Sequence, residues 1–154
     1  MIASENTLAS GKFFRFWSAA NEPRAVVLIS HGLGEHSGRY EHVAAPLTAD
    51  NLHVYALDHI GHGKSPGKPA YIDRFSDLTS GVSELRDHIR RHHAGLPVIL
   101  IGHSMGGLIA IRLALGAHAD YAGLILTGPL LGQPEAPSRL QVMLLRVLSV
   151  LAQR

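Results

Sequence analysis

The chain has 154 residues, 46% of them hydrophobic and 17% charged, so it is long enough to bury the core of one domain. Its 14 lysines and arginines barely outnumber its 12 aspartates and glutamates and are not clustered, which excludes a nucleic-acid-binding surface. It has no cysteine, so disulfides are excluded, and no uncharged apolar run approaches the length of a membrane span.

From the N-terminus onward, the first half of the chain predicts strands that alternate with a helix. Residues 1–5 lack the basic and apolar regions of a signal peptide, so we expect a cytoplasmic protein. Ala25–Ser30 is almost continuously apolar, which is typical of a parallel strand covered on both faces. The predicted elements are an edge strand at Lys12–Ala19, a strand at Ala25–Ser30, a helix at Tyr40–Asp50 and a strand at His53–Asp58.

The second half continues this alternation. Apolar residues from Phe75 to Ile89 recur at spacings of three and four, which predicts an amphipathic helix that Gly95 ends. Alternating strands and helices indicate a doubly wound, mostly parallel α/β sheet with its strand-to-helix loops at one edge. The predicted elements are a helix at Ser76–His93, a strand at Val98–Ile101, a helix at Leu108–Leu115, a strand at Gly123–Thr127 and a last apolar helix at Arg139–Gln153.

The turn between the strand Val98–Ile101 and the following helix carries the most informative motif, Gly102-His103-Ser104-Met105-Gly106. Gly-x-Ser-x-Gly between a strand and a helix is typical of a nucleophile elbow, in which the serine has a positive φ. A dinucleotide-binding turn would need glycine at position 104, so we do not favour that interpretation. The motif predicts Ser104 as a nucleophile beside the free N–H groups of a helix N-terminus.

A second loop, His31–Tyr40, follows the strand Ala25–Ser30 and therefore lies at the same sheet edge as Ser104. Its glycines allow backbone N–H groups to point into a site. In this architecture the oxyanion hole takes one N–H from the residue after the nucleophile and one from an earlier loop. We therefore predict an oxyanion hole made by the N–H groups of Met105 and Leu33.

The loop Asp58–Ser65 contains Gly-Lys-Ser but has Asp58 where a phosphate-binding loop needs glycine, so it indicates no nucleotide site. We expect Asp58 and neighbouring histidines to hold this loop's backbone. The chain has 11 histidines, and His88 and His92 are four residues apart, but no glutamate follows His88 as in a zinc protease. The arginines around them indicate a solvated helix face, and we expect no metal site.

Together these three loops resemble the monoacylglycerol lipase and lysophospholipase branch of the serine α/β-hydrolases. The resemblance runs from about Phe13 to the end of the chain, and the motifs occur in the family's order. It implies an α/β-hydrolase fold, a nucleophile at Ser104, a monoacylglycerol or similar lipid ester as substrate, and no cofactor. The residues that carry the resemblance are His31–Tyr40, Asp58–Ser65 and Gly102–Gly107.

The chain departs from the family in its second half. In this fold the acid and then the base follow the nucleophile, but no histidine follows His118. We therefore expect an incomplete α/β-hydrolase sheet whose final strands are absent. Residues 1–134 would be the N-terminal part of the core domain, and residues 135–154 would begin the cap. Gly123–Thr127 would become an exposed apolar edge, which predicts self-association.

Two functions stay open from the sequence. The first is a serine hydrolase of monoacylglycerol or lysophospholipid-like esters that forms an acyl-enzyme on Ser104, with the catalytic Asp and His not present in this chain. The second is a catalytically incompetent half-enzyme that acts as an interaction module for a complementary chain. The apolar helix Arg139–Gln153 predicts lipid or peripheral membrane contact in either case.

Overall fold

The computed structural model describes residues 3–116, 121–132, 138 and 142–143. Its strands form one six-stranded sheet in the order β1-β2-β4-β3-β5-β6. Among the described residues, no helix has the length and apolarity needed to span a membrane. The strands are β1 (Ser4–Thr7), β2 (Phe13–Trp17), β3 (Ala25–Ser30), β4 (Leu52–Leu57), β5 (Val98–His103) and β6 (Gly123–Thr127).

The sheet is parallel from β4 to β6, with β3 between β4 and β5. All six residues of β3 are buried, as its continuous apolar sequence predicts for a strand covered on both faces. The parallel register places Ser30, at the end of β3, beside Gly102 near the end of β5. The loops that follow these two strands therefore begin side by side, and the predicted α/β sheet is confirmed.

The N-terminal hairpin corrects one prediction. Lys12–Ala19 was expected to be an edge strand, but β2 is shorter and lies inside the sheet, antiparallel to both β1 and β4. The edge strand is β1, whose four residues are all exposed. Its polar sequence Ser-Glu-Asn-Thr has no apolar alternation to indicate a strand, so backbone pairing with β2 determines its conformation.

Helices cover both faces of the sheet. The apolar spacing of α2 (Phe75–His92) is confirmed, because Leu78, Val82, Leu85 and Ile89 are buried. These residues and α3 (Met105–Ala114) pack on one face, and α1 (Glu41–Ala49) packs on the other. A short 3-10 helix, Ser37–Tyr40, precedes α1. The observed α1 therefore starts one residue later and ends one residue earlier than the predicted helix Tyr40–Asp50.

The β6 edge of the sheet differs from its centre. Within the described part of the chain β6 pairs only with β5, and Leu124 and Ile125 are 39% and 49% exposed. This agrees with the predicted exposed apolar edge. The predicted last helix, Arg139–Gln153, and the predicted cap at 135–154 lie almost entirely outside the described residues.

Candidate active site

The predicted nucleophile occupies a sharp strand-to-helix turn. β5 ends at His103, α3 begins at Met105, and Ser104 between them has φ 50° and ψ −114°. The predicted positive φ is thus confirmed. A non-glycine residue in this region costs about 1–3 kcal/mol and persists only where surrounding contacts impose it.

Glycines allow the close packing that imposes this turn. A Cβ on Gly102 would lie 2.5 Å from the carbonyl oxygen of Gly106, and a Cβ on Gly106 would collide with the carbonyl group of Ser30. Both obstacles are backbone atoms, which cannot rotate away as a side chain can. The two glycines that flank Ser104 in the motif are therefore required by the approach of α3 to β5 and β3.

Hydrogen bonds with β6, with the segment after it and with α3 hold the backbone of Ser104. Its N–H donates to the carbonyl oxygen of Thr127 at 3.0 Å. Its carbonyl oxygen accepts from the N–H of Leu130 at 3.0 Å and of Leu108 at 3.2 Å. The motif alone did not indicate Thr127 or Leu130, because no local pattern shows which strand ends beside the elbow.

The donors expected for an oxyanion hole come from two segments. Met105 is the first residue of α3, so its N–H has no partner within the helix. The loop His31–Tyr40, the glycine loop, lies against the elbow, since a Cβ on Gly32 would be 3.3 Å from the Ser104 Cβ. The Leu33 side chain is 64% exposed, and no described residue accepts a hydrogen bond from its N–H. The loop and Ser104 are therefore brought together, while the oxyanion role of these N–H groups stays a prediction.

Glu35, which sequence reasoning missed, connects this loop to a neighbouring cavity. Its Oε2 accepts hydrogen bonds from the Gly32 N–H at 3.0 Å and the Tyr40 hydroxyl at 2.8 Å, and its Oε1 lies 3.3 Å from Arg39. Burial raises the pKa of Glu35, but these hydrogen bonds and the arginine charge together hold it below its ordinary value. The cavity, about 230 Å³, is lined by Glu35, Arg39, Tyr40, His42, His103 and Thr127.

Three buried histidines lie together near Ser104. His31 begins the glycine loop, and the ring centroids of His59 and His62 lie 4.4 and 5.3 Å from that of His31. His31 Nε2 accepts from the N–H of His59 at 3.0 Å, so its proton is on Nδ1, which donates to the Gly32 carbonyl at 2.7 Å. Burial lowers the pKa of His31 to about 4 and that of His59 well below its ordinary value. Both rings are therefore neutral at pH 7, and their described hydrogen bonds are made to other groups than Ser104.

The loop after β4 has the structural role expected of it. Asp58 Oδ1 accepts from the Ser37 N–H at 2.6 Å, and Oδ2 accepts from the Lys64 N–H at 2.8 Å. Ser65 Oγ donates to the carbonyl of Asp58 at 2.5 Å. Asp58 thus links the glycine loop to the loop after β4, and its carboxylate oxygens accept hydrogen bonds from backbone donors in both loops.

No base reaches the nucleophile within the described residues, where neither an imidazole nor a carboxylate hydrogen-bonds the Ser104 hydroxyl. His103, its neighbour, bonds through Nδ1 to the carbonyl and hydroxyl oxygens of Thr127, at 3.0 and 2.9 Å. No group of three potential metal ligands occurs in this part of the chain. The expected solvated face at His88 needs correction, because its ring is partly buried against Phe14, with centroids 5.1 Å apart.

Comparisons with known proteins agree with this geometry. The chain is 41% identical over 139 residues to human monoglyceride lipase, covering 90% of this chain and 46% of that protein. It is 38% identical to monoacylglycerol lipase of Mycolicibacterium smegmatis, covering 88% of this chain and 49% of that protein. The solved monoacylglycerol lipase of Paleococcus ferrophilus superposes with a TM-score of 0.69 at 35% identity, covering 89% of this chain and 50% of that one.

The chain spans about half the length of the curated relatives it matches. The resemblance to monoacylglycerol lipases is confirmed, and the part of the sheet that carries the elbow is the part they share. Residues 21–154 match the family model Hydrolase_4, described as serine aminopeptidase, S33. The chain therefore belongs to this family of α/β-hydrolases.

Proposed function

We propose that this chain supplies the nucleophile half of a serine hydrolase that cleaves monoacylglycerols or lysophospholipid-like esters. The observation that carries the proposal is Ser104, held at positive φ at the N-terminus of α3 beside the glycine loop. Strain of this kind at a helix N-terminus is typical of a nucleophile elbow. The names of the relatives, monoglyceride and monoacylglycerol lipases, support the substrate class.

The reaction would proceed through an acyl-enzyme. The Ser104 oxygen attacks the ester carbonyl carbon while its proton passes to a base, and the carbonyl oxygen becomes an oxyanion. The N–H groups of Leu33 and Met105 donate to that oxyanion. Collapse of the intermediate expels the glycerol oxygen, which takes the proton, and leaves the acyl group on Ser104. Water then attacks the acyl-enzyme and releases the fatty acid.

The base and its acid are not among the described residues near Ser104. In this fold they follow the nucleophile along the chain, and no histidine follows His118 in this sequence. We propose that a further polypeptide segment supplies them, and that the apolar sequence at 139–153 belongs to a cap that receives the acyl chain and contacts lipid. The proposed location is cytoplasmic, with peripheral contact at a membrane, and the reaction requires no cofactor.

The proposal is tested by trapping the acyl-enzyme. The chain is incubated with a fluorophosphonate bearing a long alkyl chain, which forms a stable bond with an activated serine, and is then analysed by intact-mass and peptide mass spectrometry. We expect slow addition of one phosphonyl group at Ser104 and no addition to the variant Ser104→Ala. The control variant Ser80→Ala, changed at an exposed position of α2, should be labelled at Ser104 as fast as the unmodified chain. Labelling that persists in Ser104→Ala would contradict the proposal.

A second function is favoured by the exposed β6 edge, where no described strand pairs with the outer side of β6 and Leu124 and Ile125 are exposed. Such an edge offers free backbone donors and acceptors to another chain. We propose that this edge mediates association, either with a second copy or with a complementary chain. This proposal is compatible with the first, because the complementary segment would also bring the missing base.

A further inference from the structure

The glycine loop is held at one point from two opposite directions. The N–H of Gly32 donates to the carboxylate of Glu35, and the carbonyl oxygen of Gly32 accepts from His31 Nδ1 and from the N–H of Glu35. The distances from these three donors to their acceptors are 3.0, 2.7 and 3.4 Å, respectively. Both backbone polar groups of Gly32 are therefore held by hydrogen bonds.

These bonds determine where the next N–H points. The Gly32 carbonyl and the Leu33 N–H belong to one planar trans peptide group, so they point in opposite directions. Since the carbonyl is bonded to the buried His31, the Leu33 N–H must point away from that ring. No described residue accepts from this N–H, and the loop that carries it contacts Ser104.

We propose that Glu35 and His31 are positioning residues, which hold the Gly32–Leu33 peptide group so that the Leu33 N–H is presented to the ester carbonyl at Ser104. Neither residue touches the reacting atoms. Glu35 acts through the Gly32 N–H and the adjoining turn, and His31 acts through the Gly32 carbonyl. The inference rests on the proposed function for its effect on catalysis, but the hydrogen bonds themselves can be tested without any activity.

The tautomer of His31 is a necessary part of this arrangement. The ring can donate to Gly32 only through a protonated Nδ1, and it can accept from the His59 N–H only through a bare Nε2. In a doubly protonated ring the Nε2–H would point at the N–H of His59, so two donors would face each other. The hydrogen bonds that hold Gly32, here called the clamp, therefore require the neutral Nδ1-protonated form of His31. Burial of the ring stabilises that form.

The first test measures the hydrogen bonds by NMR on the full chain. The amide proton of Gly32 is followed from pH 7 to pH 3, and we expect its chemical shift to follow the titration of the Glu35 carboxylate. Glu35→Gln should remove the part of this shift change that Glu35 causes and leave only the part that follows protonation of His31 near pH 4. A long-range spectrum of the His31 ring nitrogens should show the Nδ1-protonated form at pH 7. A Gly32 amide that does not titrate, or the opposite tautomer, would overturn the inference.

The second test separates positioning from folding. In Glu35→Ala we expect the Leu33 amide to shift and to exchange faster with solvent, while the urea midpoint changes little. Removal of one oxyanion donor costs on the order of 100–1000-fold in rate, so misplacement of Leu33 should slow fluorophosphonate labelling of Ser104 on the order of 10–100-fold. Glu35→Gln, which keeps an acceptor for the Gly32 N–H, should lose less.

The control variant is Glu84→Gln on α2, which removes another carboxylate that accepts a backbone N–H, that of Ser10 at 3.1 Å. We expect its Leu33 amide and labelling rate to match the unmodified chain. Equal slowing in Glu84→Gln and Glu35→Ala, or an unchanged Leu33 amide in Glu35→Ala, would overturn the inference. Absence of labelling in the unmodified chain would instead contradict the proposed function, and the amide measurements would still decide the clamp.

Discussion

Two regions of the parallel sheet are built differently. The first is the closely packed end, where loops follow β3 and β5, and the second is the open end at the outer strand β6. At the β3 and β5 ends the elbow, the glycine loop and the β4 loop are packed so closely that a single Cβ on Gly106 would meet backbone atoms. At β6, Leu124 and Ile125 are substantially exposed, and a Cβ on Gly123 would meet only ordinary contacts at 3.7 Å. The turn that carries Ser104 is thus closely packed, while the neighbouring β6 edge has no strand on its outer side among the described residues.

Substitution of the glycines should show this contrast most strongly. Gly106→Ala places a methyl group against the Ser30 carbonyl, and because backbone must move we expect a loss of more than about 3 kcal/mol in unfolding free energy. Gly123→Ala on β6 should change it by less than about 0.5 kcal/mol. Urea unfolding followed by the fluorescence of the buried Trp17 measures both. Similar losses in the two variants would contradict the contrast.

Acid should destabilise the closely packed end through its neutral histidines. Burial lowers the pKa of His31 from 6.5 to about 4, so over this range the unfolded chain binds a proton that the folded chain does not. The contribution of His31 to the unfolding free energy is therefore fully present above about pH 6.5. It is lost as the pH falls to about 4, which lowers the unfolding free energy by about 3 kcal/mol. His59 shifts in the same direction and should steepen the fall.

Urea unfolding at pH 7.0, 6.0 and 5.0 measures this slope. His31→Asn keeps an N–H near the position of Nδ1 and does not titrate, so its stability should depend less on pH than that of the unmodified chain. Equal slopes in the two proteins would show that His31 is not held neutral by the fold.

At the open end, a charge should reduce association with little cost in stability. We expect the unmodified chain to show light scattering that increases with concentration beyond that of a monomer, because the apolar edge of β6 recruits other chains. Ile125→Lys should shift the protein towards monomer and change the unfolding free energy by less than about 1 kcal/mol. Leu115→Lys, at an exposed position beyond α3, is the matched control and should leave association as it was. A concentration-independent monomer before substitution would contradict the association proposal.

The parts of the molecule that sequence predicted are those with a local pattern. The spacing of apolar residues in α2 and the Gly-x-Ser-x-Gly turn depend on neighbours within a few residues, and the structure agrees with both. β1 could not be predicted, because its polar sequence forms a strand only by pairing with β2. The hydrogen bonds of Ser104, which donates to Thr127 and accepts from Leu130, likewise depend on strand order.

The sequence carries a local indication of the role of Glu35, namely its spacing from Gly32. An acidic residue three positions after Gly32 can return to that residue's N–H, as in a capping arrangement, and the structure shows this bond at 3.0 Å. The neutrality of His31 had no such signal, since it follows from burial and from a hydrogen bond to His59, 28 residues away. Burial and distant partners of this kind become visible only when the sheet is assembled.

The central claim is that Ser104 is a nucleophile with Leu33 and Met105 as its proposed oxyanion donors, and that the described residues hold no base beside it. The most direct measurement is hydrolysis of a monoacylglycerol by the purified chain, with and without added imidazole, beside Ser104→Ala. We expect slow hydrolysis, since loss of triad members leaves only about 10³–10⁴-fold catalysis over water. Imidazole should accelerate this hydrolysis, and Ser104→Ala should abolish the acceleration. Rapid hydrolysis without imidazole that is lost in Ser104→Ala would contradict the claim, and would require a search for the base among His31, His59, His62 and His103.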